Sequence, residues 1–145
     1  MAAEPETTWY SGEVSHEGFP LHLRFPEKPD FDSLSEKFPK LLFVTHALDK
    51  VTSSGEPESS YNETLSEFDH EIINAFSTPF MGLTVLVETF GGERTYYMYV
   101  SKDASIENRK LYFSTEYPQH NLSWEIKNDP DWKFIRGYSS DYKFY

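Results

Sequence analysis

The chain has no cysteine. Disulfides, thiolate zinc sites, iron–sulfur clusters and cysteine nucleophiles are therefore excluded. No run of about 20 apolar residues occurs, so no helical membrane span is expected. Basic residues are scarce, 13 Lys and Arg against 24 Asp and Glu, a net charge of −11. Phosphate backbones and anionic lipid surfaces call for the opposite sign, so neither nucleic acid nor membrane is an expected partner. Met1 to Thr8 is acidic and lacks an apolar stretch, which reads as neither a secretory signal nor a transit peptide. A cytoplasmic protein is expected. What the chain has in quantity is aromatic material, 3 Trp, 10 Tyr and 12 Phe in 145 residues. That length predicts one domain, and those rings supply ample core.

The acidity is lopsided. Residues 1–72 carry 5 basic and 15 acidic groups, residues 73–145 carry 8 and 9. A one-sided negative surface steers a basic protein partner, although it also serves solubility alone.

Residues 1–7 read as a disordered lead. Residues 8–25 read as a hairpin turning at Ser15 to Gly18, with Phe19, Leu21, Leu23 and Phe25 on one face and Pro20, His22 and Arg24 on the other. Asp30 is placed to cap a helix from Phe31 to Phe38, which Pro39 ends. Leu41 to Leu48 reads as a central strand and Asp49 to Ser60 as a loop. Tyr61 to Phe76 is the clearest helix. Leu65, Phe68, Ile72 and Phe76 make one apolar stripe, Glu63, Glu67 and Glu71 recur opposite it, and Ser60 with Glu63 fits a capping box. Phe80 to Phe90 and Arg94 to Ser101 are strands joined at Gly91-Gly92, where a tight hairpin turn demands positive φ. A helix capped by Asp103 spans about Ala104 to Phe113. A strand from Leu122 to Ile126 and a short helix from Asp131 to Gly137 follow, with a tail over 139–145. Adjacent hairpins favour an antiparallel or mixed sheet. The expected fold is a single α+β domain over 8–138, its helices packed mostly on one face.

No catalytic signature emerges. His16-Glu17 begins a zincin-like pattern, but Pro20 stands where the second histidine belongs. Glu67, His70 and Glu71 share a helical face that a metal or solvent alone explains. G-x-S-x-G and phosphate-cradling glycine motifs are absent. Tyr96, Tyr97 and Tyr99 on a strand near Arg94 are compatible with base stacking, a reading the charge opposes. No catalytic, cofactor or metal site is expected.

Several patches in order resemble one family. Trp9 precedes Gly18-Phe19-Pro20 and a strand bearing Arg24; Phe38-Pro39 leads into an apolar strand. Ser54-Gly55-Glu56-Pro57 precedes the long helix, Gly92, Arg94 and Tyr97 follow the glycine turn, and Asp129-Pro130-Asp131-Trp132 closes the run. The arrangement, from Trp9 to Tyr138, resembles the bacterial "domain of unknown function 695" family. A weaker likeness, at the level of fold, is to B-type ribonuclease E activity regulators, acidic α+β proteins that act by binding. The resemblance also implies a place among bacterial toxin–immunity loci. On the shared motifs, Asp129 caps the last helix and Trp132 pins it to the sheet; alternatively Arg94, Tyr97, Asp129 and Trp132 converge in a small site.

The resulting expectation is a noncatalytic protein-binding or regulatory module. Its acidic face, centred on Glu63, Glu67 and Glu71, would dock a basic protein partner. The alternatives are a hydrolase-like enzyme assembled from dispersed carboxylates and histidine, and a small-ligand sensor.

Overall fold

The computed structural model describes residues 8–145, and the lead expected over 1–7 lies outside them. β1 (Trp9–His16) and β2 (Phe19–Pro26) form the first hairpin. Glu17 and Gly18 both take positive φ at its two-residue turn, the geometry that matches strand twist. α1 (Phe31–Lys37) starts at Asp30, whose side chain accepts from the Ser33 amide. β3 (Lys40–Ala47), α2 (Ser59–Thr64), α3 (Ser66–Asn74), β4 (Gly82–Phe90), β5 (Glu93–Val100), α4 (Ile106–Glu116), β6 (Asn121–Asn128) and α5 (Lys133–Asp141) follow. The six strands make one sheet in the order β1-β2-β4-β5-β3-β6, with every neighbouring pair antiparallel. The α+β class and the order of elements are as the sequence predicts.

Alternation along the strands divides the apolar residues between two cores. Leu42, Val44, Val87, Tyr96 and Met98 face α3 and α4, where Phe68, Ile72, Phe76 and Phe113 meet them. Leu41, Leu23, Leu86 and Tyr99 face the other way, toward Trp132 and Ile135 of the closing segment and Phe38 after α1. The helices thus cover both faces of the sheet, which corrects the expected one-sided packing. The physical reason is that strands apolar on both faces must be covered twice.

Four local expectations also change. The helix expected over 61–76 is two, α2 and α3, broken at Leu65, whose amide bonds back only three residues to Asn62. The Ser60–Glu63 capping box does not form. The Glu58 amide donates to the Lys50 carbonyl, the loop closes on itself, and the helix starts at Ser59. α4 begins at Ile106 after Ser105, so Asp103 lies in the preceding turn instead of capping. The tail acquires a place: α5 continues to Asp141, and Phe144 and Tyr145 pack on Phe25 at ring separations of 4.3 and 5.6 Å.

Gly82 opens β4 where a Cβ would lie 2.2 Å from the Tyr99 carbonyl oxygen, so only glycine admits this approach of β4 to β5. Among the described residues, no helix is long and apolar enough to cross a membrane.

Candidate functional site

The α3 face carries a cleft of about 640 Å³ at the end of the sheet nearest the Gly91-Gly92 turn. Its floor follows from strand register. Arg24 sits opposite Ser11 and Val87, His22 opposite Glu13 and Thr89, and Thr89 opposite Arg94. Side chains at these positions emerge on one face. α2, the start of α3 and the 51–57 loop wall the cleft, contributing Glu56, Asn62 and Asp69.

Asp69 is the hub. Arg24 donates to it through both terminal nitrogens, Nη1 to Oδ2 at 2.8 Å and Nη2 to Oδ1 at 2.6 Å, a bidentate fork. Tyr96 Oη donates to Oδ1 at 2.8 Å, and Arg94 Nη1 stands 3.9 Å from the same oxygen. Burial alone would raise the Asp69 carboxyl; the hydrogen bonds and charge of Arg24, the Tyr96 hydroxyl and Arg94 outweigh it and hold the group below the usual carboxylate range. Burial pulls the Arg24 guanidinium down, and Asp69 more than restores it. Burial first, then Asp69, pushes the Tyr96 phenol well above its ordinary range, so it stays a donor.

Arg94 is only 8% exposed. Its Nε donates to Thr89 Oγ1 at 2.9 Å and its Nη2 to Asn62 Oδ1 at 3.0 Å. Among the described residues, its Nη1 has no acceptor within hydrogen-bond distance. Two guanidiniums therefore converge on one carboxylate in the cleft of an acidic protein.

Arg94, Tyr97, Asp129 and Trp132 do not assemble. Arg94 and Tyr97 are three residues apart on one strand, an odd spacing that sends them to opposite faces. Tyr97 stacks on Phe134 at 4.6 Å. Asp129 accepts from Tyr99 Oη at 2.6 Å and from the Lys133 and Phe134 amides at 2.9 and 3.0 Å, capping the first turn of α5. Trp132 is fully buried, donates from Nε1 to the Phe38 carbonyl at 2.8 Å and stacks on Tyr99 at 4.2 Å. The last two residues thus hold the structural positions, and the site expected of all four is corrected.

The acidic face is also divided. Glu63 and Glu67 are exposed. Glu71 instead ties α3 to α4, accepting from Tyr112 Oη at 2.6 Å and from Tyr117 Oη. Those hydroxyls hold its carboxyl low. Glu67, His70 and Glu71 are not the ligand-bearing groups that gather. Among the described residues, Glu13, His22 and Glu56 do, with one candidate ligand atom of each within 4.8 Å of the others.

A family model matches residues 6–138, that of a family of unknown function, DUF695. The chain belongs to this family. No curated protein matches, and no solved structure matches. Within this DUF695 chain, Arg24, Glu56 and Arg94 each come from a patch that carries the resemblance, and the sequence places His22 and Arg24 on one strand face. What the sequence omits is Asp69: on the helix it reads as one more solvated acid, and only the packing of α3 on β2 brings it to Arg24.

Proposed function

We propose that this domain is a noncatalytic binding module whose recognition site is the Arg24–Asp69–Arg94 cleft, and that the group it recognises is an anion, a carboxylate or phosphate on a small ligand. The observation that carries the reading is Arg94. A guanidinium nine-tenths buried, with its fork pointed by Thr89 and Asn62 and one terminal nitrogen left over, is a positioned donor facing a cleft. Guanidinium forks match carboxylate and phosphate oxygens, and a preorganised donor loses little entropy on binding. Concave sites with a few convergent polar groups are where small ligands bind.

Calorimetric titration with phosphate, sulfate and dicarboxylates tests it. Saturable one-to-one binding that weakens with salt is expected, lost in Arg94→Gln and in the more exposed Arg24→Gln. Circular dichroism establishes that each variant is folded. Absence of binding by every anion, or binding that survives both changes, overturns the reading.

A second reading is a regulatory module that docks a basic protein on the acidic exterior. The exposed Glu63 and Glu67 favour it, and with Glu71 engaged by two tyrosines they are its working charges. The likeness to ribonuclease E regulators is an analogy of fold and contributes no residue. A cytoplasmic setting fits either reading.

A further inference from the structure

The lip of the cleft carries a different chemistry from its floor. Glu13 and His22 face each other directly across the β1–β2 ladder, so their side chains leave adjacent strands on one face. Glu56 reaches them from a loop that is itself tied down. Thr52 N donates to the Glu56 carbonyl at 2.7 Å, and Gly92 N donates to the Gly55 carbonyl at 2.9 Å, which fixes the loop to the β4–β5 turn. A Cβ on Gly55, already at positive φ, would stand 2.9 Å from the Gly91 Cα, so the approach needs glycine there. His22 Nε2 lies 2.6 Å from Glu56 Oε2 and 3.7 Å from Glu13 Oε1.

We propose that Glu13, His22 and Glu56 bind a divalent transition-metal ion, with zinc the best chemical match, at the mouth of the cleft. One imidazole and two carboxylates are a donor set for zinc and its neighbours; magnesium and calcium sites are built from oxygens. With metal–ligand bonds of about 2.1 Å, the edge of a tetrahedron is about 3.4 Å. The Glu13–His22 pair already spans nearly that edge. Relative to His22, Glu56 draws back by somewhat less than about 1 Å, exchanging its hydrogen bond with the imidazole for the metal. Three protein ligands leave at least one coordination position open, the pattern of an exchangeable site.

One further feature supports the assignment, and a second bears on what would bind beside the ion. Ser54 Oγ donates to Glu56 Oε1 at 3.0 Å, which orients the carboxylate and leaves Oε2 for the ion, as outer-shell partners do. Arg94 lines the same cleft, nine-tenths buried, its Nη1 3.9 Å from an Asp69 oxygen and without an acceptor at hydrogen-bond distance among the described residues. A guanidinium there repels a bare cation, so it is an anion held in the cleft, sharing its charge between Arg94 and the ion, that would join the two. The metal site goes beyond the anion-binding reading and does not depend on it, because it needs only the three lip side chains.

The test titrates the full chain with zinc chloride and with cobalt chloride in a phosphate-free, non-chelating buffer. One ion per chain is expected, with visible absorption from bound cobalt. His22→Ala should weaken binding at least about 100-fold and Ser54→Ala about 10-fold, the scale of losing an outer-shell partner. The His22 side chain is 38% exposed, and circular dichroism checks that each variant is folded. Binding no tighter than about 1 mM, or an affinity unchanged by His22→Ala, overturns the site. Zinc binding without anion binding would remove only the preceding proposal, and anion binding without zinc binding would remove only this one.

Discussion

Acidification from pH 7 to pH 5 is expected to cost the folded chain about 2 kcal/mol through His46 alone. His46 lies on β3 between Arg94 of β5 and Leu122 of β6. It is 1% exposed, stacks on His120 at 4.7 Å and meets the Phe68 ring edge-on at 5.2 Å. Among the described residues its Nδ1 is buried without a hydrogen-bond partner. Burial, then the charges of His120 and Arg94, push its pKa down to about 4, against the weaker opposite pull of Asp49 and Asp69. The folded state therefore refuses a proton that the unfolded chain accepts. Above the unfolded value of about 6.5 both states are neutral at this site and nothing is lost. Below it, stability falls with pH until the folded state also protonates near pH 4, where the total reaches about 3 kcal/mol. His120, lowered for the same reason, adds in the same direction. Asp69, Glu56 and Glu71 are held below the usual carboxylate range, so they stay ionised through this window and leave it to the histidines. The assay is urea unfolding at pH 7, 6 and 5 at fixed ionic strength, on the natural chain and on His46→Leu. The natural chain should lose about 2 kcal/mol more than the variant between pH 7 and 5. At pH 7 the variant should be no less stable than the natural chain by more than about 1 kcal/mol, since it removes an unsatisfied buried nitrogen. Parallel pH dependences for the two proteins, or a His46 imidazole that titrates near 6.5 by NMR, would rule out this origin of acid sensitivity.

Trp132→Phe should cost about 1–3 kcal/mol in the same unfolding assay, because it keeps a ring against Tyr99 but strands the Phe38 carbonyl that Nε1 satisfies. If a basic protein is the partner, reversing Glu63 and Glu67 to lysine should slow association measured by surface plasmon resonance and flatten its salt dependence. An unchanged salt slope would exclude that surface.

Much of the local structure was legible because its causes are local. The period of two in Phe19 to Phe25, the stripe at Leu65, Phe68, Ile72 and Phe76, the positive-φ turn at Gly91-Gly92 and the Asp30 cap each follow from covalent geometry within a few residues. The caps proposed at Ser60 and Asp103 failed for the complementary reason. A loop bonded to Lys50 and a turn at 101–105 moved the helix starts, and neither influence is written in the local pattern.

Local pattern in the chain already carried the α+β class, the order of strands and helices, the face shared by His22 and Arg24, and the apolar stripe that packs α3. Only the closed sheet put β3 between β5 and β6, covered both faces with helices, and brought Arg94 to Asp69. It also brought Glu56, 34 residues beyond His22, to the Glu13–His22 pair of the first hairpin. Side-chain direction repeats every two or 3.6 residues and can be read from the chain. Hydrophobic burial has no direction, so which strands become neighbours is settled only when the whole sheet and both of its cores close together.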